Sequence, residues 1–426
     1  MLHRTFGSSL FRHAVPAALA SGLAGGAAAQ TTVDWLHIEQ NPEIADYWAG
    51  LARAYEAEHP GVTIAMQFLE NEAFKAKLPT ILQSDERPDI FYSWGGGVFH
   101  SQAEAGVLGD MTAQMNDGWA ETFSPASVDA FTYNGVVHGA PMLVSQVVFW
   151  YNRDLFAQAG VDADSIQTWD DLLAAVQTFK DAGITPIAVG GADKWPLHFY
   201  WTHLAIRLGG KAGFEAATSG EGDGFENEIF VEAGRLFQQL TELEPFQDGY
   251  LAFTYPQAAG YFGDGKAAMH LMGNWDYNTA RTNAADGEGL SDEQLGIFSF
   301  PQVPGGAGEP TDTLGGINGW LISADASPEA VDFLRFFLSP ENQTEMGKRG
   351  YFIPVAVGAS AEMTNPFFRQ VADNIAASSY HQIFYDQMLG PSVGRVVNDV
   401  SADLAAGVIT PEEAAATVQE AWEFEQ

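Results

Sequence analysis

The 426-residue chain contains no cysteine. That excludes disulfides, which an exported protein would be free to use. It also excludes a bacterial lipoprotein anchor, which needs a cysteine at the leader cleavage point. Basic residues are scarce too: 19 Lys and Arg stand against 55 Asp and Glu, a formal net charge of −36. Such a surface repels nucleic acid and anionic lipid. It fits solubility in salty surroundings or a cationic ligand. No G-x-x-x-x-G-K-[ST] loop, H-E-x-x-H helix or EF-hand loop occurs, and no G-x-S-x-G nucleophile elbow is read. The ten His are scattered without metal-ligand spacing. No metal site and no cofactor are expected. Acids are so abundant that a glycosidase pair is neither favoured nor excluded by inspection.

Long apolar runs are missing beyond the N-terminus. There, His3, Arg4 and Arg12 precede an apolar stretch from Ala14 to Ala29 that ends in Ala27-Ala28-Ala29. This reads as a secretory signal peptide over residues 1–29, cleaved before Gln30. Nothing later approaches the roughly 20 apolar residues of a membrane span. A freely diffusing periplasmic protein is expected. Aromatics are plentiful, with 29 Phe, 13 Tyr and 11 Trp.

The most informative stretch is Arg87-Pro88-Asp89-Ile90-Phe91-Tyr92-Ser93-Trp94-Gly95-Gly96-Gly97. It reads as a buried strand running into an indole and three glycines. Ligands of open α/β sheets bind beyond the carboxyl ends of strands, where glycine lets backbone approach closely. A Trp beside exposed backbone donors suits a sugar ring, which has a polar rim and an apolar C–H face.

Around it, strands and helices alternate. Thr32–His37 and Val62–Phe68 read as strands, separated by a helix that Asn41-Pro42-Glu43 starts. A helix over 74–82 and another near 99–105 flank the strand 89–92. Further strands are expected at 147–151, 184–189 and 267–272. Thr168-Trp169-Asp170-Asp171 opens a helix like a capping box, and a long helix begins at Trp195. Pro301–Pro310 reads as a linker. This alternation predicts βαβ units and a mainly parallel sheet.

An ordered set of motifs then carries a family resemblance. It runs from Arg87-Pro88-Asp89-Ile90 through Ala105-Gly106-Val107-Leu108 and Trp150-Tyr151-Asn152-Arg153-Asp154-Leu155-Phe156 to Thr168-Trp169-Asp170-Asp171-Leu172. It continues with Gly265-Lys266-Ala267-Ala268-Met269, Gly273-Asn274-Trp275, Pro340-Glu341-Asn342-Gln343 and Tyr351-Phe352-Ile353-Pro354-Val355. The chain resembles the extracellular solute-binding proteins of carbohydrate ABC importers, the maltose-binding-protein-like group. Phe-Tyr-Ser-Trp-Gly-Gly-Gly is most similar to members that take oligosaccharides, including xylo-oligosaccharide and α-galactoside binders. The resemblance implies a two-lobed periplasmic binding protein fold of class α/β. Each lobe would be a mainly parallel sheet flanked by helices, with the ligand cleft between them. It implies an N-terminal lobe of 30–141 plus 310–353 and a C-terminal lobe of 142–309 plus 354–426. Chain crossings would fall near 140–144, 304–310 and 354. It also implies a monomer that serves an inner-membrane ABC permease with its ATPase, by hinge closure and without catalysis.

Candidate ligand contacts follow, each with a plainer reading beside it. Trp275 matches a stacking aromatic of the second lobe, or caps a strand. Trp94, with Ser93 and Gly95, offers the first-lobe counterpart. Glu39-Gln40 and Glu70-Asn71 lie at strand ends in regions that reach ligand in the family, or are helix caps. Gln146 lies at the first crossing, where it meets a hydroxyl or satisfies hinge backbone. Trp195 and His198 open a helix. Gly316 and Asn318 sit beside Trp320, itself a candidate for buried strand. Asp386 accepts sugar hydroxyls or is an ordinary surface acid. Lys and Arg are scarce near these strands, so charged or phosphorylated sugars are not expected. Three other readings stay open: a cationic solute such as a polyamine, an exported glycoside-active enzyme, and a sensory protein docking on a receptor.

Overall fold

Local signals set the first βαβ unit. Strand β1 (Thr31–His37) ends ahead of Asn41, whose side chain accepts the Glu43 N–H at 2.9 Å and starts helix α1 (Pro42–Glu58). Such a cap is worth about 1 kcal/mol. Ile44, Trp48, Ala52 and Tyr55 recur at three- and four-residue spacing and form the buried stripe of α1. Strand β2 (Val62–Phe68) pairs parallel to β1, with Thr31 opposite Val62 and His37 opposite Phe68. Helix α2 (Asn71–Ile81) leads to strand β3 (Ile90–Ser93), also parallel to β1, and helix α3 (Gly96–Glu104) follows. The computed structural model describes residues 30–425. The expected signal peptide at 1–29 lies outside the described residues.

Strand β4 (Gly139–Asn152) is long because it runs from one end of the sheet into the other. Helix α4 (Trp169–Asp181) opens with the expected capping box: Asp171 N–H donates to Thr168 Oγ1 at 3.3 Å, and Thr168 N–H to Asp171 Oδ2 at 2.8 Å. Strand β5 (Thr185–Ala188), helix α5 (Trp195–Thr218), helix α6 (Tyr255–Gly263), strand β6 (Ala267–Gly273) and helix α7 (Asp276–Asn283) come next. Strands β7 (Leu295–Phe298), β8 (Thr313–Ile322), β9 (Ile353–Pro354) and β10 (His381–Ile383) precede the short helix α8 (Tyr385–Met388). The sheet order is β2-β1-β3-β8-β4-β6-β5, with β7 and β9 also on β4 and β10 on β8. Parallel pairs occupy both ends. In the centre β8 runs antiparallel to β3 and β4, and β4 antiparallel to β6, so the whole is a mixed sheet.

Two hydrophobic cores lie under the two ends. The smaller is aromatic, with Trp35 ring-centred 5.1 Å from Trp320 and 4.9 Å from Phe337. Trp320 is therefore buried strand. The larger holds Phe149, Trp169, Tyr200, Phe237 and Phe300. Within β4, Met142 belongs to the smaller core and Val147 to the larger; within β8, Leu314 belongs to the larger and Trp320 to the smaller. Near β9, Phe352 and Val355 are in the smaller core and Ile353 in the larger. These strands join the two lobes.

The second passage falls inside β8, not at the Pro/Gly-rich stretch 301–310. That stretch is no free linker. Ala307 N–H donates to Leu208 O at 2.9 Å and Gly308 N–H to Arg207 O at 3.1 Å, which pins it to α5. Proline and glycine mark irregular backbone, and irregular backbone can be as firmly held as a helix. No helix among the described residues is long and apolar enough to cross a membrane.

Candidate functional site

Both parallel sets point their carboxyl ends at one cleft. From the first lobe come Glu39 and Gln40 after β1, Glu70 and Asn71 after β2, and Trp94 after β3; from the second come Trp275 after β6 and Trp195 and His198 at the start of α5. Asn318 from β8 and Asp386 from α8 complete ten of the fourteen expected residues. The cleft encloses about 180 Å³, room for about a dozen water molecules at 10–15 Å³ each. That is a small-molecule site rather than a single-ion site.

Ser93, Gly95, Gln146 and Gly316 do not line it. Ser93 is buried on the far face of β3, where its Oγ accepts the Gly95 N–H at 3.1 Å. Gly95, at φ 69°, turns the chain from Trp94 into α3; a side chain would be strained there. Gln146 is one residue out of step: its neighbour Ser145 lines the cleft, while Gln146 does not, its backbone N–H donating to the lining residue Asn274 at Oδ1, 3.0 Å. In a strand a shift of one residue changes face. Gly316 makes room for others, since a Cβ there would lie 2.6 Å from Asn318 Oδ1 and 2.7 Å from the Phe384 ring.

Glu39 and Glu70 combine both of their expected readings. Glu39 Oε1 accepts the Asn41 N–H at 2.8 Å, and Glu70 Oε2 accepts the N–H groups of Glu72 and Ala73 at 2.9 and 3.3 Å as the N-cap of α2. The carboxylates hold these turns and also line the cleft. Burial raises the Glu39 carboxyl to about 7, against the backbone N–H groups of Asn41 and Gln40, which lower it. Its folded pKa thus lies above the unfolded one. The stability it contributes is full below about pH 4.5 and is lost as the pH rises through about 7. Glu39→Gln keeps the acceptor for Asn41 and cannot ionise. Its melting temperature relative to the wild type is expected to climb between about pH 5 and pH 8; a constant difference across that range would show that Glu39 does not titrate there.

Three indoles face the cleft. Trp94 is half-buried, edge-on to Phe74 at 5.7 Å and Tyr92 at 5.2 Å. Trp195 packs at 5.0 Å on Tyr255, and Trp275 at 5.9 Å on Phe384, both edge-to-face. The Trp275 ring lies flat on Gly273: a Cβ at Gly273 would sit 1.9 Å from the ring. Gly273→Ala must therefore swing the indole away. It is expected to weaken ligand binding about as much as removing the ring, at least about tenfold, while unfolding near the wild-type temperature. Wild-type affinity in a fluorescence titration would mean the ring position is unimportant. Behind Trp275, Asp276 accepts from Tyr255 OH at 3.1 Å and pairs with His270 Nδ1 at 2.8 Å, all buried.

Two buried acceptors in the cleft lack partners. Asn318 Nδ2 donates to Tyr92 OH at 2.8 Å, which leaves its Oδ1 unpartnered. His198 Nδ1 lies 2.7 Å from Trp195 O, so the proton is on Nδ1. Burial, outweighing the nearby Asp386, pushes the ring's pKa down and keeps it neutral. Its Nε2 is then a free lone pair. Leaving such groups dry and unpaired costs about 1–3 kcal/mol each, so they call for hydrogen-bond donors from a ligand.

Several cleft residues escaped the sequence reading, among them Asp193, Asn278 and Lys75. Lys75 of α2 reaches across to Asp386, with Nζ 3.3 Å from Oδ2. The expectation that Lys and Arg are scarce near the cleft meets its exception here. The signal was present: Lys75 follows Asn71 by one helical turn. Burial raises the Asp386 carboxyl, but Lys75 and His198 more than offset that and hold it below its ordinary value. Burial likewise lowers the Lys75 ammonium, and Asp386 and Glu72 outweigh it, so its pKa is raised. Asn278 Nδ2 also spans the lobes, donating to Gly350 O at 2.9 Å.

No group of three acid, His or Cys residues among the described residues is placed to hold a metal. The letters G-x-S-x-G do occur, at Gly390-Pro391-Ser392-Val393-Gly394. Ser392 is exposed at the start of a helix that follows α8, not a strand, so this is not a nucleophile elbow.

Known proteins share this architecture. A family model described as bacterial extracellular solute-binding protein matches residues 41–344. An ABC transporter extracellular-binding protein of Pyrococcus horikoshii is 25% identical over 271 residues, covering 60% of this chain and 61% of its own length. The chain thus spans under two thirds of that relative. The diacetylchitobiose-binding protein DasA of Streptomyces coelicolor is 24% identical over 345 residues, covering 78% of this chain and 74% of its own. A solved structure from work on xylan utilization by Caldanaerobius polysaccharolyticus superposes with TM-score 0.85 at 28% identity, covering 91% of this chain and 99% of that one. Two lobes joined by shared strands, a cleft at the strand ends and a family model matched over most of the sequence lead to one conclusion: this chain belongs to the bacterial extracellular solute-binding protein family.

Proposed function

We propose that this protein captures a neutral oligosaccharide outside the cytoplasm and delivers it to an inner-membrane ABC permease with its ATPase. The observation that carries the reading is the cleft itself: Trp94, Trp195 and Trp275 converge from separate elements around unpartnered acceptors on Asn318 and His198. Indole faces take the apolar C–H faces of sugar rings, and sugar hydroxyls supply the missing donors. DasA binds a disaccharide by name, which agrees with this class. Glu39, Gln40, Glu70, Asn71 and Asp386 then accept from the ring hydroxyls. In this reading the protein is an exported, unanchored periplasmic monomer and performs no catalysis. The two lobes close about the strands they share, β4, β8 and β9. The permease reads the closed form, which ligand stabilises through contacts to both lobes.

A thermal-shift screen against neutral mono- and oligosaccharides tests it. A true ligand at 100 times its Kd stabilises the native state by about 2.7 kcal/mol, and the shift should hardly change with salt. A response to polyamines alone, falling steeply with salt, would install the cationic reading instead. Release of smaller sugars would install the enzyme.

A further inference from the structure

Lys75 stands in surroundings built for a cation. Its Nζ lies 3.3 Å from Asp386 Oδ2 and 3.4 Å from Glu72 Oε1. The same Nζ is 5.5 Å from the ring centre of Trp94 and 5.8 Å from that of Trp195. Two indoles and two carboxylates around one ammonium attract it by ring quadrupole and by charge. The group is assembled across the cleft, with Lys75 and Trp94 from the first lobe and Trp195 and Asp386 from the second. Asp386 is buried, so without Lys75 its charge would lack a partner.

We propose that Lys75 is a tethered occupant of a cation-binding cage, and that by filling it Lys75 makes the cleft select neutral sugars over amino sugars and other amines. The proposal rests on the reading of the cleft as a sugar site and names what sets its specificity. Four carboxylates, those of Glu39, Glu70, Asp193 and Asp386, line the cleft against this one lysine. An empty cage in such a field would take an amine readily. A resident ammonium engages the Asp386 carboxylate, and it sets a like charge beside any incoming amine. A hydroxyl suffers no such repulsion. Of the three donors on Nζ, two serve carboxylates and the third remains for a ligand oxygen.

The plainer role for Lys75 is to tie the lobes together, and the test separates the two. Wild type, Lys75→Ala, Lys75→Gln and Lys75→Arg are titrated with unacetylated glucosamine disaccharide, followed by tryptophan fluorescence at low and high salt. Lys75 is on a helix with part of its side chain in solvent, so alanine suits the helix there; glutamine is the second variant, and thermal unfolding of each confirms that it is folded before titration. The alanine and glutamine variants should bind the diamine at least about tenfold tighter than wild type, with the gain lost at high salt. The arginine variant should match wild type. No gain in the uncharged variants overturns the proposal, as does an equal gain in the arginine variant or an equal gain for a neutral disaccharide. A wild type that binds no neutral sugar sinks the sugar reading separately, because the gain for the diamine is read without any neutral ligand.

Discussion

Replacing Trp275 with alanine is expected to weaken oligosaccharide binding by at least about tenfold while the protein stays folded. The ring is held only partly by the core: it stands on Gly273, meets Phe384 edge-on and leaves a face to the cleft. A sugar that covers half of an indole removes roughly 100 Å² of apolar surface from water, worth about 2.5 kcal/mol at about 25 cal/mol/Å². Some of that is returned because other groups collapse into the gap, so a loss of about 1.4 kcal/mol, or tenfold, is the lower bound. Trp275→Phe keeps a smaller face and should fall between. The expectation is checked by titration following the remaining tryptophans, alongside thermal unfolding without ligand. Undiminished affinity in a folded Trp275→Ala protein would remove the stacking role and, with it, the chief support for a sugar as ligand.

Replacing Arg207 with alanine should damage the fold itself. Arg207 is buried on α5. Its Nε and Nη2 donate to Phe300 O at 3.3 and 2.9 Å, and its Nη1 to Glu309 O at 3.1 Å and Asp312 O at 2.9 Å. Burial lowers its pKa to about 10, against the pull of Asp312, so the group is still charged at neutral pH. It is the clamp that holds the irregular stretch 301–310 onto α5 just ahead of β8. Removing it leaves the carbonyls of Phe300, Asp312 and Glu309 short of a donor, the first two in buried residues, and opens a cavity, a loss of about 3–5 kcal/mol. At 2–4 °C per kcal/mol for a lobe-sized unit, the melting temperature should drop by on the order of 10 °C. Arg207→Met fills the space but supplies no donor. It should recover little, which distinguishes lost hydrogen bonds from lost volume. A melting temperature within about 2 °C of wild type in both variants would show that water replaces the guanidinium without cost.

The two variants probe different ranges of information in the chain. Asn41 before Pro42, Thr168 with Asp171, and the glycines after Trp94 each act on residues a few positions away. Their roles could therefore be read from the letters. Strand–helix alternation placed the parallel β-strand ends, and strand ends in an α/β sheet decide where a cleft opens. Glu39, Glu70, Trp94 and Trp275 followed from that rule. Which neighbour faces the cleft did not follow. Ser145 and Gln146 are equally polar, and only the pairing of β4 with β8 puts the first in the cleft lining and leaves the second out of it. Gly273 likewise looked like a strand end until the Trp275 ring was seen lying on it.

The amino-acid sequence by itself determined the α/β class, the absence of cysteine chemistry and the stations along the chain where a ligand would be met. Only the tertiary structure decided that Lys75 meets Asp386 across 311 positions of sequence, that the stretch 301–310 is clamped, and that the second crossing lies within β8. Capping, turn and periodicity preferences are interactions among near neighbours, so they are written locally. The meeting of charges and rings from opposite lobes depends on how the sheets stack and hinge, a property that no single stretch contains.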